Sequence, residues 1–135
     1  SNIKDAIKQV KIPYVNGTGN SAVGSGANGL SAKIFLLSGY EVGWTTSDSS
    51  YFPVDGAKLD YFTASSGGDS KRIAYRNGSA AFWWLRSPGT DSSYFVWGVR
   101  SDGDYNRYDA SDSYGIRPAF TLPSTMIVGD DMLIA

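Results

Sequence analysis

The sequence has no cysteine and no histidine among its 135 residues, and its only glutamate is Glu41. Lack of Cys excludes a disulfide framework, a thiolate zinc site and a cysteine nucleophile. Lack of His removes the commonest general base and metal ligand. Most catalytic constellations are therefore out of reach, and an enzyme is not expected. No apolar run approaches the roughly 20 residues that span a bilayer, and the start lacks the pattern of a secretory signal. Charge of one sign is missing as well. Twelve Lys+Arg stand against thirteen Asp+Glu, for a net charge of −1 with no block of like charge, so neither nucleic acid nor membrane insertion is expected.

What is present is unusual in balance. Aromatics make up 14% and glycines number 16, while charged residues, at 19%, fall below the usual quarter. The length suits one domain, 1–135. The opening Ser1-Asn2-Ile3 and the apolar ending (Met126 to Val128, Met132 to Ala135) read as a domain excised from a longer protein.

The first half carries helical signals. Asn2 can cap a short helix whose apolar residues Ile3, Ala6, Ile7 and Val10 recur at helical spacing before Pro13. The Gly/Ser/Asn-rich stretch 16–28 reads as a loop. Ala32 to Leu37 reads as a buried strand. Directly after it, Ser38-Gly39-Tyr40-Glu41 has the spacing of a capping box, which predicts a helix of one or two turns. Another short helix is expected over 56–62, after Pro53 and Asp55-Gly56.

The second half reads as strands and turns. Phe82 to Leu85 is a dense apolar run stopped by Ser87-Pro88-Gly89. Tyr94 to Arg100 alternates, with Phe95, Trp97 and Val99 on one side, and Asp102-Gly103 marks a hairpin tip. Ile116, Phe120 and Leu122 share one face of a last strand in which Pro118 belongs at an edge or bulge. The expected second-half core is Phe82, Trp84, Leu85, Phe95, Trp97, Val99, Ile116 and Phe120. The order of elements predicts an α+β class, with short helices first, then a twisted antiparallel sheet with long loops.

Residues 91–114 are the most biased window, with five Asp, five Ser, four Tyr and one Asn, and no Lys, Glu or Leu. Tyr brings large contact area at low entropy cost and the short polar residues bring adaptable hydrogen bonds, the palette of antibody binding loops. The candidate ligand-binding residues are Ser92, Ser93, Tyr94, Asp104, Tyr105, Asn106, Tyr108, Asp109, Ser111, Asp112, Ser113 and Tyr114. The same residues also suit turns and strand faces, and composition alone does not choose. Asp102, Asp104 and Asn106 have the spacing that opens an EF-hand loop. Arg107 and Ser113 then occupy the positions that require Gly and Glu, so no metal and no cofactor are expected. Asn16-Gly17-Thr18 and Asn77-Gly78-Ser79 match glycosylation acceptors but read better as Asn-Gly turns. Arg86 and Arg117, each beside strongly apolar neighbours, read as structural charges near the core.

Phe82-Trp83-Trp84-Leu85-Arg86-Ser87-Pro88-Gly89 followed by Gly115-Ile116-Arg117-Pro118-Ala119-Phe120 resembles a domain family of unknown function found in bacterial and phage structural proteins. Lys33 to Ser38 with Glu41-Val42 is similar to its first strand and helix, so the resemblance brackets residues 33–120. It implies a C-type-lectin-like fold, shared with variable proteins of diversity-generating retroelements and with formylglycine-generating enzymes. The enzymatic branch requires an active-site Cys that is absent here. The sugar-binding Glu-Pro-Asn and Gln-Pro-Asp tripeptides are absent too, and a fold does not carry an activity with it. In the retroelement branch, single changes in Asn codons yield Asp, Tyr and Ser, which abound in 91–114.

The expected function is a non-catalytic receptor-binding or adhesin domain of a phage or prophage virion protein. It would be placed on a phage tail or surface, or otherwise on a bacterial cell surface. Its partners would be a host-cell surface protein or glycan and other virion domains, and 91–114 would be displayed as a possible variable region. The rival is a fixed structural or assembly module with no ligand of its own. A hydrolase acting on surface glycans is a weaker third reading.

Overall fold

The computed structural model describes residues 3–17, 20–45 and 51–126. It is mostly β. Strands β1 (Val10–Ile12), β2 (Tyr14–Gly17), β3 (Asn20–Gly24), β4 (Leu30–Ala32) and β5 (Phe35–Leu36) occupy the first half. Next come β6 (Ala74–Arg76), β7 (Ser79–Ala81), β8 (Trp83–Pro88), β9 (Phe95–Val99), β10 (Tyr105–Asp109) and β11 (Pro118–Ala119). The one described α-helix, α1, spans Ile3–Ala6. All the strands pair antiparallel, β1 with β4, β2 with β3, β6 with β7, β11 with β5, and β10, β9 and β8 in that order as a three-stranded sheet.

This overturns the α+β, C-type-lectin-like expectation. Short antiparallel pairs, not helices, fill the first half, and the second-half sheet has only three strands. The reasons are local. A helix nucleus is costly and short helices gain little, so α1 stops at Ala6. The β-branched Val10 and Ile12 then pair with Leu30–Ala32, where Ile12 is buried. The 16–28 stretch, expected as loop, holds part of the β2–β3 hairpin and a 3-10 turn at 26–28. No helix forms over 56–62. There the chain is tied by Leu59 N–H to the Glu41 carbonyl (3.0 Å) and Phe62 N–H to the Leu59 carbonyl (3.0 Å).

The capping box forms as a pair of bonds without the helix. Ser38 N–H donates to Glu41 Oε2 (3.0 Å), and Glu41 N–H donates to Ser38 Oγ (3.2 Å). The backbone then closes a single turn through Val42 N–H to the Ser38 carbonyl and Trp44 N–H to the Gly39 carbonyl, both 3.2 Å. Glu41 is held instead by a residue 45 positions away. Arg86 clasps it with Nη1 to Oε2 at 2.5 Å and Nη2 to Oε1 at 2.9 Å. The same guanidinium donates to the carbonyls of Pro13 (3.0 Å), Leu36 (2.9 Å) and Asp55 (2.6 Å). All five guanidinium N–H groups are thereby used, and four chain segments are pinned to β8.

The core lies between the inner face of the three-stranded sheet and residues 42–45 and 51–62. Val42, Trp44, Phe52 and Phe62 pack on Trp83, Leu85, Trp97 and Val99. Trp44 stacks on Phe52 at 5.3 Å on one side and takes the Arg72 guanidinium at 4.1 Å. Arg72, fully buried, donates to the carbonyls of Val42 (2.8 Å), Gly67 (2.7 Å) and Ala64. Of the expected second-half core, Trp84, Leu85, Trp97 and Val99 are buried, and Phe82 and Phe95 are half-buried. Ile116 and Phe120 are corrections, being 63% and 42% exposed. Only Pro118–Ala119 of their segment forms strand, at the edge beside β5, where Pro118 was expected. Trp83, absent from the expected set, is 1% exposed.

Buried next to the Glu41–Arg86 pair, the Asp55 carboxyl has one oxygen, Oδ1, without a hydrogen-bond partner. Burial pushes its pKa above the ordinary value of 3.8, with the Glu41 charge acting the same way, while a hydrogen bond with Ser38 and the Arg86 charge oppose. A carboxyl raised on folding stabilises the fold fully below its unfolded pKa, and that contribution is lost as pH rises through the folded value. Asp55→Asn should therefore gain in melting temperature relative to the natural chain as pH goes from about 4 to about 7. A difference constant across that range would show that Asp55 ionises as freely folded as unfolded.

Candidate functional site

The three-stranded sheet has a second, outward face. The register sets Trp84 opposite Gly98, and β10 carries Tyr108 opposite Val96. A Cβ at Gly98 would meet the Phe82 ring at 2.2 Å, so the missing side chain is what lets the tip of Phe82 approach the sheet there. Around Phe82 gather Trp84 (5.2 Å between ring centroids), Tyr108 (5.1 Å) and Tyr114 (4.5 Å). Tyr114 also meets Trp84 at 5.3 Å and Tyr108 at 5.1 Å. Separations and tilts of this kind are those favoured by the ring quadrupole.

Tyr114 is placed by a strap along the free edge of β8. Trp84 N–H donates to the Gly115 carbonyl and Gly115 N–H to the Phe82 carbonyl, both at 3.0 Å. A Cβ at Gly115 would lie 2.8 Å from that Phe82 oxygen, so glycine permits the close approach. The strap and the β6–β7 hairpin enclose a surface cavity of about 630 Å³. Its wall includes Tyr75, Arg76, Phe82, Tyr114, Ile116 and Arg117. The hairpin turns at Asn77-Gly78, both in the left-handed region at φ 51° and 81°, as the Asn-Gly reading of that tripeptide predicts. The Tyr114 phenol is held above its ordinary pKa of 10.0, mainly by desolvation and further by Asp112 and Tyr108.

The twelve sequence-predicted site residues do not form one patch. Tyr108 and Tyr114 join the outward cluster, and Asn106 Nδ2 donates to the Tyr108 hydroxyl (3.3 Å). Tyr105 faces inward instead, packed on Trp44 (5.3 Å), Phe52 (5.4 Å) and Trp97 (5.5 Å). Asp104 and Asn106 serve the backbone, their Oδ1 atoms accepting from Tyr105 N–H (2.8 Å) and Arg107 N–H (2.9 Å). Ser92, Ser93 and Tyr94 precede β9 at the end of the hairpin away from its tip, where Phe95 pairs with Asp109, and Ser111, Asp112 and Ser113 follow β10. There Ala110 N–H donates to the Tyr94 carbonyl (2.8 Å) and Ser92 Oγ accepts from Tyr94 N–H (3.5 Å). Tyr94 is exposed, as are Ser93, Asp109, Ser111, Asp112 and Ser113. The hairpin tip forms as expected, with Gly103 at φ 82°. Asp102 pairs with Arg100 at 3.0 Å and accepts from Asp104 N–H, so these acids are spent on the turn. Among the described residues no group of three or more His, Cys, Asp or Glu could hold a metal, and no helix is long and apolar enough to cross a membrane.

Tyr75, Arg76 and Arg117 are the site residues that composition did not single out. A Tyr-Arg pair directly before an Asn-Gly hairpin turn was the available signal, because such a turn projects its flanking side chains from two short strands. A family model, described as Domain of unknown function (DUF6273), matches residues 1–124. The chain belongs to this family. No curated protein and no solved structure matches it. For this DUF6273 domain, function must be argued from the cavity and its ring cluster, since membership names no activity.

Proposed function

We propose that the domain is a non-catalytic ligand-binding module whose site is the cavity between the β6–β7 hairpin and the 114–118 strap. The observation that carries this reading is the meeting of an organised ring cluster with an open cavity. Phe82, Trp84 and Tyr108 hold Tyr114 in place, and Tyr114 and the 69%-exposed Tyr75 both line the wall. Concave, mostly apolar sites with a few polar groups are where small ligands bind. The wall offers rings, hydroxyls and two arginines, a set suited to recognition more than to proton transfer.

Display on a phage particle or a bacterial surface, with a host-cell protein or glycan as ligand, is proposed on the resemblance of the 82–89 and 115–120 motifs alone. Free diversification of 91–114 is disfavoured at Tyr105, whose ring is part of the inner packing. The rival reading, a fixed assembly module, is favoured by exposed apolar side chains outside the cavity wall, namely Leu30, Ile34 and Val54.

The test is binding of the domain to a printed panel of bacterial surface glycans, natural chain against Tyr75→Ala/Tyr114→Ala. The double variant should keep its melting temperature within a few degrees and lose at least about tenfold in affinity. Equal binding by both chains would move the ligand site elsewhere. Loss of assembly only on Leu30→Ser/Ile34→Ser would favour the rival.

A further inference from the structure

Arg117 differs from the four arginines whose side chains are hydrogen-bonded or ion-paired, and from Arg76, which is exposed. Arg86 uses every donor, Arg72 is fastened to three carbonyls, and Arg100 and Arg107 pair with Asp102 and Asp91. Arg117 Nη1 is buried with no hydrogen-bond partner among the described residues. Its guanidinium lies over the rings of Trp83 (5.1 Å) and Phe62 (5.7 Å). Ring faces hold the guanidinium plane through cation–π attraction but accept none of its in-plane N–H bonds. A buried donor left unmade costs free energy, which an acceptor recovers only when the guanidinium shifts to meet it, since Nη1 itself is closed to solvent.

Arg117 also lines the cavity. Arg76 is the second cation of that wall, and no Asp or Glu lines it. An anion entering there meets two arginines on the wall, with the carboxylate that acts on Tyr114, Asp112, outside the lining. Tyr75 and Tyr114, both exposed, line the same wall.

Resting on the binding function proposed above, we infer that the cavity takes a carboxylate-bearing sugar. Arg117 would be its anion partner, Arg76 a supporting charge, and the two tyrosines platforms for the ring. A planar carboxylate matches the guanidinium fork, and a pyranose presents a flat apolar face to an aromatic ring. An extended peptide is the poorer fit, because it would recruit a strand edge and the three-stranded sheet has none open at the site. The free edge of β8 is taken by the strap, and two N–H groups of β10 are taken by Asp104 and Asn106.

The experiment titrates the domain, at low salt, with a trimer of galacturonic acid, with neutral galactotriose and with glucose 6-phosphate, read by tryptophan fluorescence and calorimetry. The expected result is binding of the acidic trimer at least about tenfold tighter than the neutral one, lost in Arg117→Gln and weakened in Arg76→Gln. Because Arg117→Gln could disturb packing on Trp83, the Trp83 indole N–H resonance of the natural chain supplies a second readout. It should shift with the acidic trimer and not with the neutral one. Equal affinity for acidic and neutral trimers would overturn the carboxylate inference and leave the binding reading standing. Tighter binding of the phosphate would overturn it in favour of a phosphorylated ligand. No binding of any probe, with the natural chain also silent on the glycan panel, would sink both.

Discussion

Arg86→Ala should lose about 3–5 kcal/mol of folding stability, the cost of removing one partner from a buried ion pair. For a domain whose total stability is of order 5–15 kcal/mol, that is a large part of the whole. The expectation rests on what the substitution leaves behind. Glu41, with only a tenth of its side chain exposed, would keep a charge held by the Ser38 N–H alone. The carbonyls of Pro13, Leu36 and Asp55 would each lose a donor. Urea unfolding is the measurement, with a lowered midpoint at unchanged slope as the expected outcome. Arg86→Lys is the control. One ammonium cannot reproduce a five-donor fork, so Lys should recover only a minor part of the loss. Full rescue by Lys would mean that charge alone, not the geometry joining four segments, is what β8 contributes.

The clasp shows where sequence reading reached and where it stopped. Ser38 and Glu41 were legible as a capping box because the motif is local, and the reciprocal bonds are present. The helix that such a box usually opens does not follow. Glu41 is drawn to Arg86, 45 positions later, and the chain turns back once instead of continuing. Asp102-Gly103 and Asn77-Gly78 were legible for the same reason, since a turn depends on the conformations of its own residues. Periodicity failed where it was short. Ile3, Ala6, Ile7 and Val10 fit a helix, yet Val10 pairs with Ala32, and a partner distant in sequence leaves no local mark.

The candidate site divides in the same way. Composition picked out a Tyr/Asp/Ser window, and two of its tyrosines, Tyr108 and Tyr114, do reach the outward cluster. It could not tell that Tyr105 points inward or that Asp104 and Asn106 accept their neighbours' N–H groups. Covering edge N–H groups with side chains is one means of keeping an edge strand from pairing with other chains. Arg117 was read as a structural charge, and its unsatisfied Nη1 is visible only once the strap has placed it over Trp83.

The alternation Trp83-Trp84 decides which face of β8 is inside, and the two tryptophans should differ sharply. Trp83→Ala is expected to cost about 3–5 kcal/mol, the range for emptying a large aromatic site in a core. The ring is almost wholly buried against the inner packing. Its Nε1 donates to the Arg72 carbonyl (2.9 Å), and Arg117 lies over its face. Trp84 sits on the outward face, held by Phe82 and Tyr114. Trp84→Ala removes a side chain buried by neighbours that can close up around it, for an expected loss of about 1.5–3 kcal/mol. A third variant separates the ring from its hydrogen bond. Trp83→Phe keeps an aromatic face under Arg117 and drops the indole donor, so its loss should fall well short of the alanine loss, being set by one hydrogen bond, roughly 1 kcal/mol, plus a partial cavity. Paired thermal and urea melts of the three variants measure the differences. If Trp84→Ala proved the costlier of the two alanines, the sheet would have to face the other way, and the ring cluster around Tyr114 would be the core of the domain instead of the wall of its site.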